Sequence, residues 1–223
     1  MSIYSITSFT LLDYPNKSAC IFWYAGCNMR CLYCYNPEIV LGKGVVTFPE
    51  AISFLHSRKG LLDAVVFSGG ECLIHKNIIE QIRAVKAMGF LVKVDTNGSR
   101  PDVLKQLVVE HLIDYIALDF KATRNRFQYI TQSSLFLSFE QSFKILQKSL
   151  IPFEIRTTYH SELIAVEELH EMIAYLERQH YVGNYYIQFF RNNVATLVEL
   201  PSSIKIKTKQ IKASPNINVV FRD

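Results

Sequence analysis

"DAVVFSGGECLIHKNIIEQIRAVKAMGFLVKVD" (residues 63–95) decides how this chain folds. It opens with "DAVVFS" (63–68), a short, continuously apolar run that reads as a strand. "KNIIEQIRAVKAM" (76–88) follows, with Ile78, Ile82 and Val85 on one helical stripe. "FLVKVD" (90–95) is strand-like again. Two strands linked by a helical crossover pair in parallel, because a tight hairpin cannot join them.

The same unit recurs on both sides. Upstream, "SACIFWYA" (18–25) reads as a strand and "FPEAISFLHSRK" (48–59) as a helix, with Pro49 in its first turn. Downstream, "PDVLKQLVVEH" (101–111) starts on a proline suited to a first helical position and leads to the strand "YIALDF" (115–120). "SFEQSFKILQKS" (138–149) reads as a helix capped by Ser138 with Gln141 three residues on. "FEIRTTY" (153–159) and "YYIQFF" (185–190) are strands around the helix "VEELHEMIAYLERQ" (166–179), and "NINVVF" (216–221) is a candidate edge strand. Six strands alternating with helices predict an α/β fold with parallel strands.

A chain of 223 residues, 49% hydrophobic, can bury one substantial core. The expectation is a single domain over 1–223, with a core at about 18–191 and an extension at 192–223. The net charge of +4 is spread out, and only "KIKTKQIK" (205–212) is dense in lysine. That segment reads as solvated surface, so no nucleic acid is expected. No basic leader is visible, and no apolar run approaches the roughly 20 residues that cross a membrane. A cytoplasmic location without membrane contact is the expectation. Stable disulfides are rare there, so five cysteines point to metal, redox or catalytic use.

Parallel α/β sheets bind ligands at the carboxyl ends of their strands. Polar and Gly-rich segments gather at those ends: "GCNMRCLYC", "SGGEC" (68–72), "DTNGS" (95–99), "LDFK" (118–121), "IRTTYH" (155–160) and "QFFR" (188–191). The first holds Cys27, Cys31 and Cys34 in a Cys-x3-Cys-x2-Cys spacing. Three thiolates on one loop can each hold a different iron of a [4Fe–4S] cluster and leave the fourth iron open. Two rivals stand beside that reading. A structural zinc could take a fourth ligand from Cys20, Cys72 or His75. Cys31 and Cys34 alone could form a redox pair, though Cys27 has no place in that motif. The spacing favours the cluster. The histidines show no His-x3-His pair, so a zinc hydrolase is not expected.

The cysteine loop, with Tyr33 just before its last cysteine, resembles the signature of the radical S-adenosylmethionine (SAM) superfamily. "SGGE" (68–71) resembles that superfamily's Gly-Gly-Glu motif. The resemblance covers roughly residues 1–190 and implies a partial (β/α)6 TIM-like barrel. It also implies a [4Fe–4S] cluster on Cys27, Cys31 and Cys34, whose open iron chelates SAM and whose electron cleaves it to a 5′-deoxyadenosyl radical. Gly69, Gly70 and Glu71 would receive the methionine end, with Glu71 on the ammonium. "DTNG" and "LDFK" resemble motifs of the activating enzymes of glycyl-radical proteins. From that group, Lys121 and Arg156 would face the SAM carboxylate, and Asp95 and Asp119 would flank a monovalent cation. Thr96 and Asn97 are candidates for the ribose hydroxyls. Tyr33 and Tyr35 either flank the adenine or pack the loop.

Within that group the chain is most similar to activating proteins of anaerobic ribonucleoside-triphosphate reductases. The implied partners are such a large glycyl-radical enzyme and an electron donor of the flavodoxin or ferredoxin type. The alternatives are a radical SAM enzyme for a small molecule, of the 7-carboxy-7-deazaguanine synthase type, and, less favoured, a zinc-stabilised binding module without catalysis. One position departs from the family pattern: Cys72 stands where proline is usual after Gly-Gly-Glu, and it reads mainly as a small filler.

Overall fold

A computed structural model describes residues 1–212 and 214–223. Its centre is one eight-stranded sheet in chain order, formed by β1 (Ile3–Thr10), β2 (Ala19–Tyr24), β3 (Ala64–Gly69), β4 (Leu91–Thr96), β5 (Tyr115–Asp119), β6 (Phe153–Tyr159), β7 (Gly183–Phe189) and β8 (Ile217–Arg222). β1 pairs antiparallel with β2, and every later pair is parallel. The helices are α1 (Pro37–Leu41), α2 (Phe48–Arg58), α3 (Ile78–Ala87), α4 (Pro101–Val109), α5 (Arg124–Thr131), α6 (Phe136–Gln147) and α7 (Val166–Arg178). Each crossover steps to the next strand in the same direction. With right-handed crossovers, such a sheet curls into an open barrel.

Strand alternation divides the side chains between two faces. The outer set packs under the helices: Phe22, Phe67, Val94, Leu118, Ile155 and Tyr185 are buried in one cluster with Leu55, Ile82, Leu104, Phe143 and Leu169. The inner set starts apolar, where Tyr14, Ala19, Ile21, Ala64 and Val66 pack with Trp23, Leu91 and Tyr115. Further along the strands the inner face turns polar, with Ser68, Asp95, Asp119, Arg156, Thr158 and Gln188 bordering one cavity. The apolar floor holds the strands together, and the polar upper layer lines the cavity.

The six expected parallel strands are present, and the sheet runs beyond 18–191 at both ends. β1 escapes a pattern search because "IYSITSFT" buries only Ile3 fully and is otherwise half-wet. It is an edge strand, fixed partly by Trp23, whose Nε1 donates to Thr7 Oγ1 at 2.8 Å. The candidate strand near the carboxyl terminus forms as β8, parallel to β7, so part of the expected extension belongs to the sheet. The Ser138–Gln141 cap does not form. α6 begins at Phe136, and Ser138 lies inside it. Burial of Phe136, edge-on to Phe127 and Tyr175, starts the helix earlier than the polar signal suggested. A capping box does form between Thr47 and Glu50, on either side of Pro49.

Candidate active site

The cysteine loop follows β2 and is held from two sides. The Gly26 carbonyl accepts from Glu71 N at 2.9 Å, which ties it to the end of β3. On the other flank Arg30 N and Leu32 N donate to the carbonyls of Thr131 and Ile130, the last turn of α5. Arg30 Nη1 donates to the carbonyls of Cys27 and Met29 at 2.7 and 2.9 Å, which closes the loop on itself. Cys27, Cys31 and Cys34 all line one cavity of about 670 Å³, within the usual range for a ligand pocket.

Burial pushes the Cys27 thiol up to about 11, against a lowering bond from Met29 N. Burial likewise pushes Cys31 to about 12, with the Lys121 charge pulling it down. Without iron these two thiols are therefore protonated at neutral pH, and iron must displace the protons to bind. Met29 N at 3.4 Å and Asn97 Nδ2 at 3.9 Å point donors at Cys27 Sγ and would stabilise its thiolate. The donor set suits a cluster. The candidate fourth zinc ligands face elsewhere. Cys20 and Cys72 are buried in the outer core, and His75 Nε2 donates to the Ala25 carbonyl at 2.9 Å. Among the described residues, no three Cys, His, Asp or Glu side chains gather around a single-ion position.

The Gly-Gly-Glu segment is engaged with its own chain. A Cβ on Gly69 (φ +123°) would lie 2.3 Å from Tyr24 backbone atoms, and one on Gly70 2.0 Å from the Gly26 carbonyl oxygen. These glycines let the β3 end press against the cysteine loop, whatever room they also leave for a ligand. Glu71 does not reach the cavity as an open carboxylate. It is buried and accepts from Asn97 N at 2.7 Å, Thr96 Oγ1 at 2.8 Å and Leu73 N at 3.1 Å. Burial raises its carboxyl to about 7, and those three donors limit the rise. Glu71 thus knits the β3 and β4 loops together.

Thr96 and Asn97 line the cavity but already have partners. Thr96 Oγ1 accepts from Gly98 N, Asn97 Oδ1 accepts from Ser99 N, and Asn97 Nδ2 donates to Asn28 Oδ1. Tyr33 is buried, and its hydroxyl donates to the Lys121 carbonyl at 3.4 Å, so it packs the loop while bordering the cavity. Tyr35 sits edge-on to Phe190 at the same rim. Cys72 is a filler, its thiol 3.6 Å from the carbonyls of Phe67 and Asp95.

The inner wall carries a chain of ion pairs. Arg156 donates from Nε to Asp119 at 3.0 Å and from Nη1 to Asp95 at 3.3 Å. Lys121 donates to Asp119 at 3.0 Å. Lys93, buried one step down β4, lies 2.7 Å from Asp95 Oδ1. Burial pushes the Asp95 carboxyl up, but Arg156 and Lys93 outweigh it and hold it below its ordinary value. Arg156 and Lys121 do the same for Asp119. No motif in the sequence singles out Lys93. Its signal was available, because a lysine two residues before Asp95 on an otherwise apolar strand shares its face.

The model of the radical SAM superfamily matches residues 21–179. The chain belongs to the radical SAM superfamily. A candidate glycyl-radical enzyme activating enzyme from Methanocaldococcus jannaschii is 31% identical to this radical SAM chain over 177 residues, covering 75% of the chain and 72% of that protein. The pyruvate formate-lyase-activating enzyme of Clostridium pasteurianum is 32% identical over 126 residues, and the match spans about half of each protein (53% and 52%). SuiB of Streptococcus suis bound to S-adenosylmethionine superposes with a TM-score of 0.64 at 12% identity, over 91% of this chain and 49% of that one. That last likeness shows the shared fold: an α/β partial barrel of parallel strands.

Proposed function

We propose that this radical SAM enzyme activates a glycyl-radical protein. In this reading Cys27, Cys31 and Cys34 hold a [4Fe–4S] cluster, and SAM binds in the cavity beside them. The observation that carries it is the cavity itself: three cysteines of one loop face it together with a wall of ion-paired side chains that includes Lys121 and Arg156. When bound, the cluster and SAM supply one-electron cleavage of a sulfonium and a carbon radical able to abstract hydrogen.

The chain's own groups then have distinct tasks. Lys121 and Arg156 turn positive charge toward a ligand carboxylate. Ser68, Gly69 and Gly70 border the place where the methionine end would lie. Glu71 acts through Thr96 and Asn97, by fixing the loop that meets Cys27. Tyr33 and Met29, both buried, keep water from the loop's inner side.

The relatives named as activating enzymes support a macromolecular glycine as the hydrogen donor. We assign the partner as an anaerobic ribonucleoside-triphosphate reductase, with a flavodoxin or ferredoxin-type electron donor. The test is anaerobic incubation of the reduced, cluster-loaded enzyme with SAM and the candidate reductase, read by electron paramagnetic resonance. A glycyl doublet on the reductase is the expected result. A doublet only on a formate-lyase type of partner moves the assignment to that partner. Turnover of a small deazaguanine precursor without any protein radical replaces the activase reading.

A further inference from the structure

The expectation of a monovalent cation at Asp95 and Asp119 does not fit the residues present. A cation is needed where a buried carboxylate oxygen has no donor or positive side chain of its own, or where carboxylates outnumber the positive side chains around them. Here two carboxylates meet three cations: Lys93, Arg156 and Lys121. Lys93 is the unusual member. Its side chain is only 3% exposed and its ammonium sits 2.7 Å from Asp95 Oδ1. That oxygen has no hydrogen-bond donor aligned on it, so the ammonium beside it is its only compensation among the described residues. Asp95 Oδ2 is occupied by Ser68 Oγ and Arg156 Nη1. The next layer down the barrel closes on itself, because Glu154 takes Tyr115 Oη and Arg222 Nη1. Among the described residues, no carboxylate there draws Lys93 away.

We propose that the Lys93 ammonium takes the place of the monovalent cation, so that this enzyme binds SAM without one. Asp95 Oδ1, left with Lys93 as its one compensating group among the described residues, carries the proposal for the free protein, and charge balance carries it for SAM binding, which rests on reading the cavity as a SAM site. A SAM carboxylate entering beside Lys121 and Arg156 makes three carboxylates against three cationic side chains at that end of the ligand. Without Lys93 the same set is one cationic side chain short, and a potassium ion at Asp95 Oδ1 would take its place. A buried charge left without its partner is costly, which is why one or the other must be there.

The test compares the cluster-loaded wild type with Lys93→Met, in buffers whose only monovalent cation is either potassium or tetramethylammonium, which is too large to enter. Two readings are taken: the melting temperature without SAM, and the SAM affinity by calorimetry. Wild type should melt at the same temperature in both buffers and bind SAM with less than about a twofold difference. Lys93→Met should melt lower in tetramethylammonium, recover in potassium, and lose about tenfold or more in SAM affinity unless potassium is present. A wild type that gains stability or about tenfold in affinity from potassium overturns the proposal. So does a Lys93→Met variant indifferent to potassium in both readings. If that variant does not fold in either buffer, Lys93→Arg decides. It keeps the charge and must remain indifferent to potassium, and a potassium requirement overturns the proposal. If the melting results hold and SAM fails to bind in any buffer, the reading of the cavity falls while Lys93 as the resident cation stands.

Discussion

Each of the five cysteines has a definite setting, and the settings differ enough to be separated by single changes. Cys27, Cys31 and Cys34 line the cavity, whereas Cys20 and Cys72 lie in the outer core. Replacing any of the three by serine should abolish iron retention and the brown absorption of the anaerobically purified protein. Cys72→Ala should keep the iron and lose only about 1 kcal/mol of stability in urea unfolding, the cost of a small cavity. Glu71 makes a second prediction at this scale. Its carboxyl is raised from 4.5 to about 7 in the folded state. The folded protein therefore holds one more proton than the unfolded chain between those values, and this group makes stability fall as pH rises through that window. Asp95 and Asp119 act in the opposite sense. Their depressed carboxyls contribute stability above the unfolded value of 3.8, and it is lost as pH falls through their lower folded values. Glu71→Gln should flatten the slope between pH 4.5 and about 7 in a urea titration series. It should also cost about 1–3 kcal/mol at lower pH, because its amide nitrogen meets donors that need an acceptor.

Between elements, the junction of the β2 loop with the β3 end is the tightest part of the site. A Cβ on Gly70 would collide with the Gly26 carbonyl, a backbone atom that has no way to swing aside. Gly70→Ala should lower stability by about 2 kcal/mol or more, and the anaerobically purified variant should retain less iron than wild type. The sequence made the elements legible where burial follows period. β3, α3 and β4 stand nearly where their apolar runs placed them. It failed where tertiary contacts rather than pattern stabilise an element. β1 is half-exposed, and α5 buries only Phe127, Ile130 and Thr131, too few to show a stripe. The site was legible in its types more than in its contacts. The spacing of Cys27, Cys31 and Cys34 singles out three residues that the structure places around one cavity. The turning of Glu71 into its own loop, and the meeting of Lys93 with Asp95, depend on which way neighbouring strand ends face. No motif encodes that.

For the whole molecule, the eight strands form one open barrel whose apolar floor leaves chemistry only at the carboxyl ends. The segment after β7 returns across that end, where Leu197 N donates to the Cys34 carbonyl at 3.1 Å and Arg191 and Val194 border the cavity. A protein partner would meet this rim first. No helix among the described residues is long and apolar enough to cross a membrane. Everything proposed for the molecule depends on the three cysteines carrying a redox-active cluster beside bound SAM. The decisive experiment is to purify the protein without oxygen, count its metals, reduce it and add SAM. About four irons per chain, with methionine and 5′-deoxyadenosine as products, is the expected result. A colourless protein with one zinc per chain, leaving SAM intact, would overturn the assignment of the site.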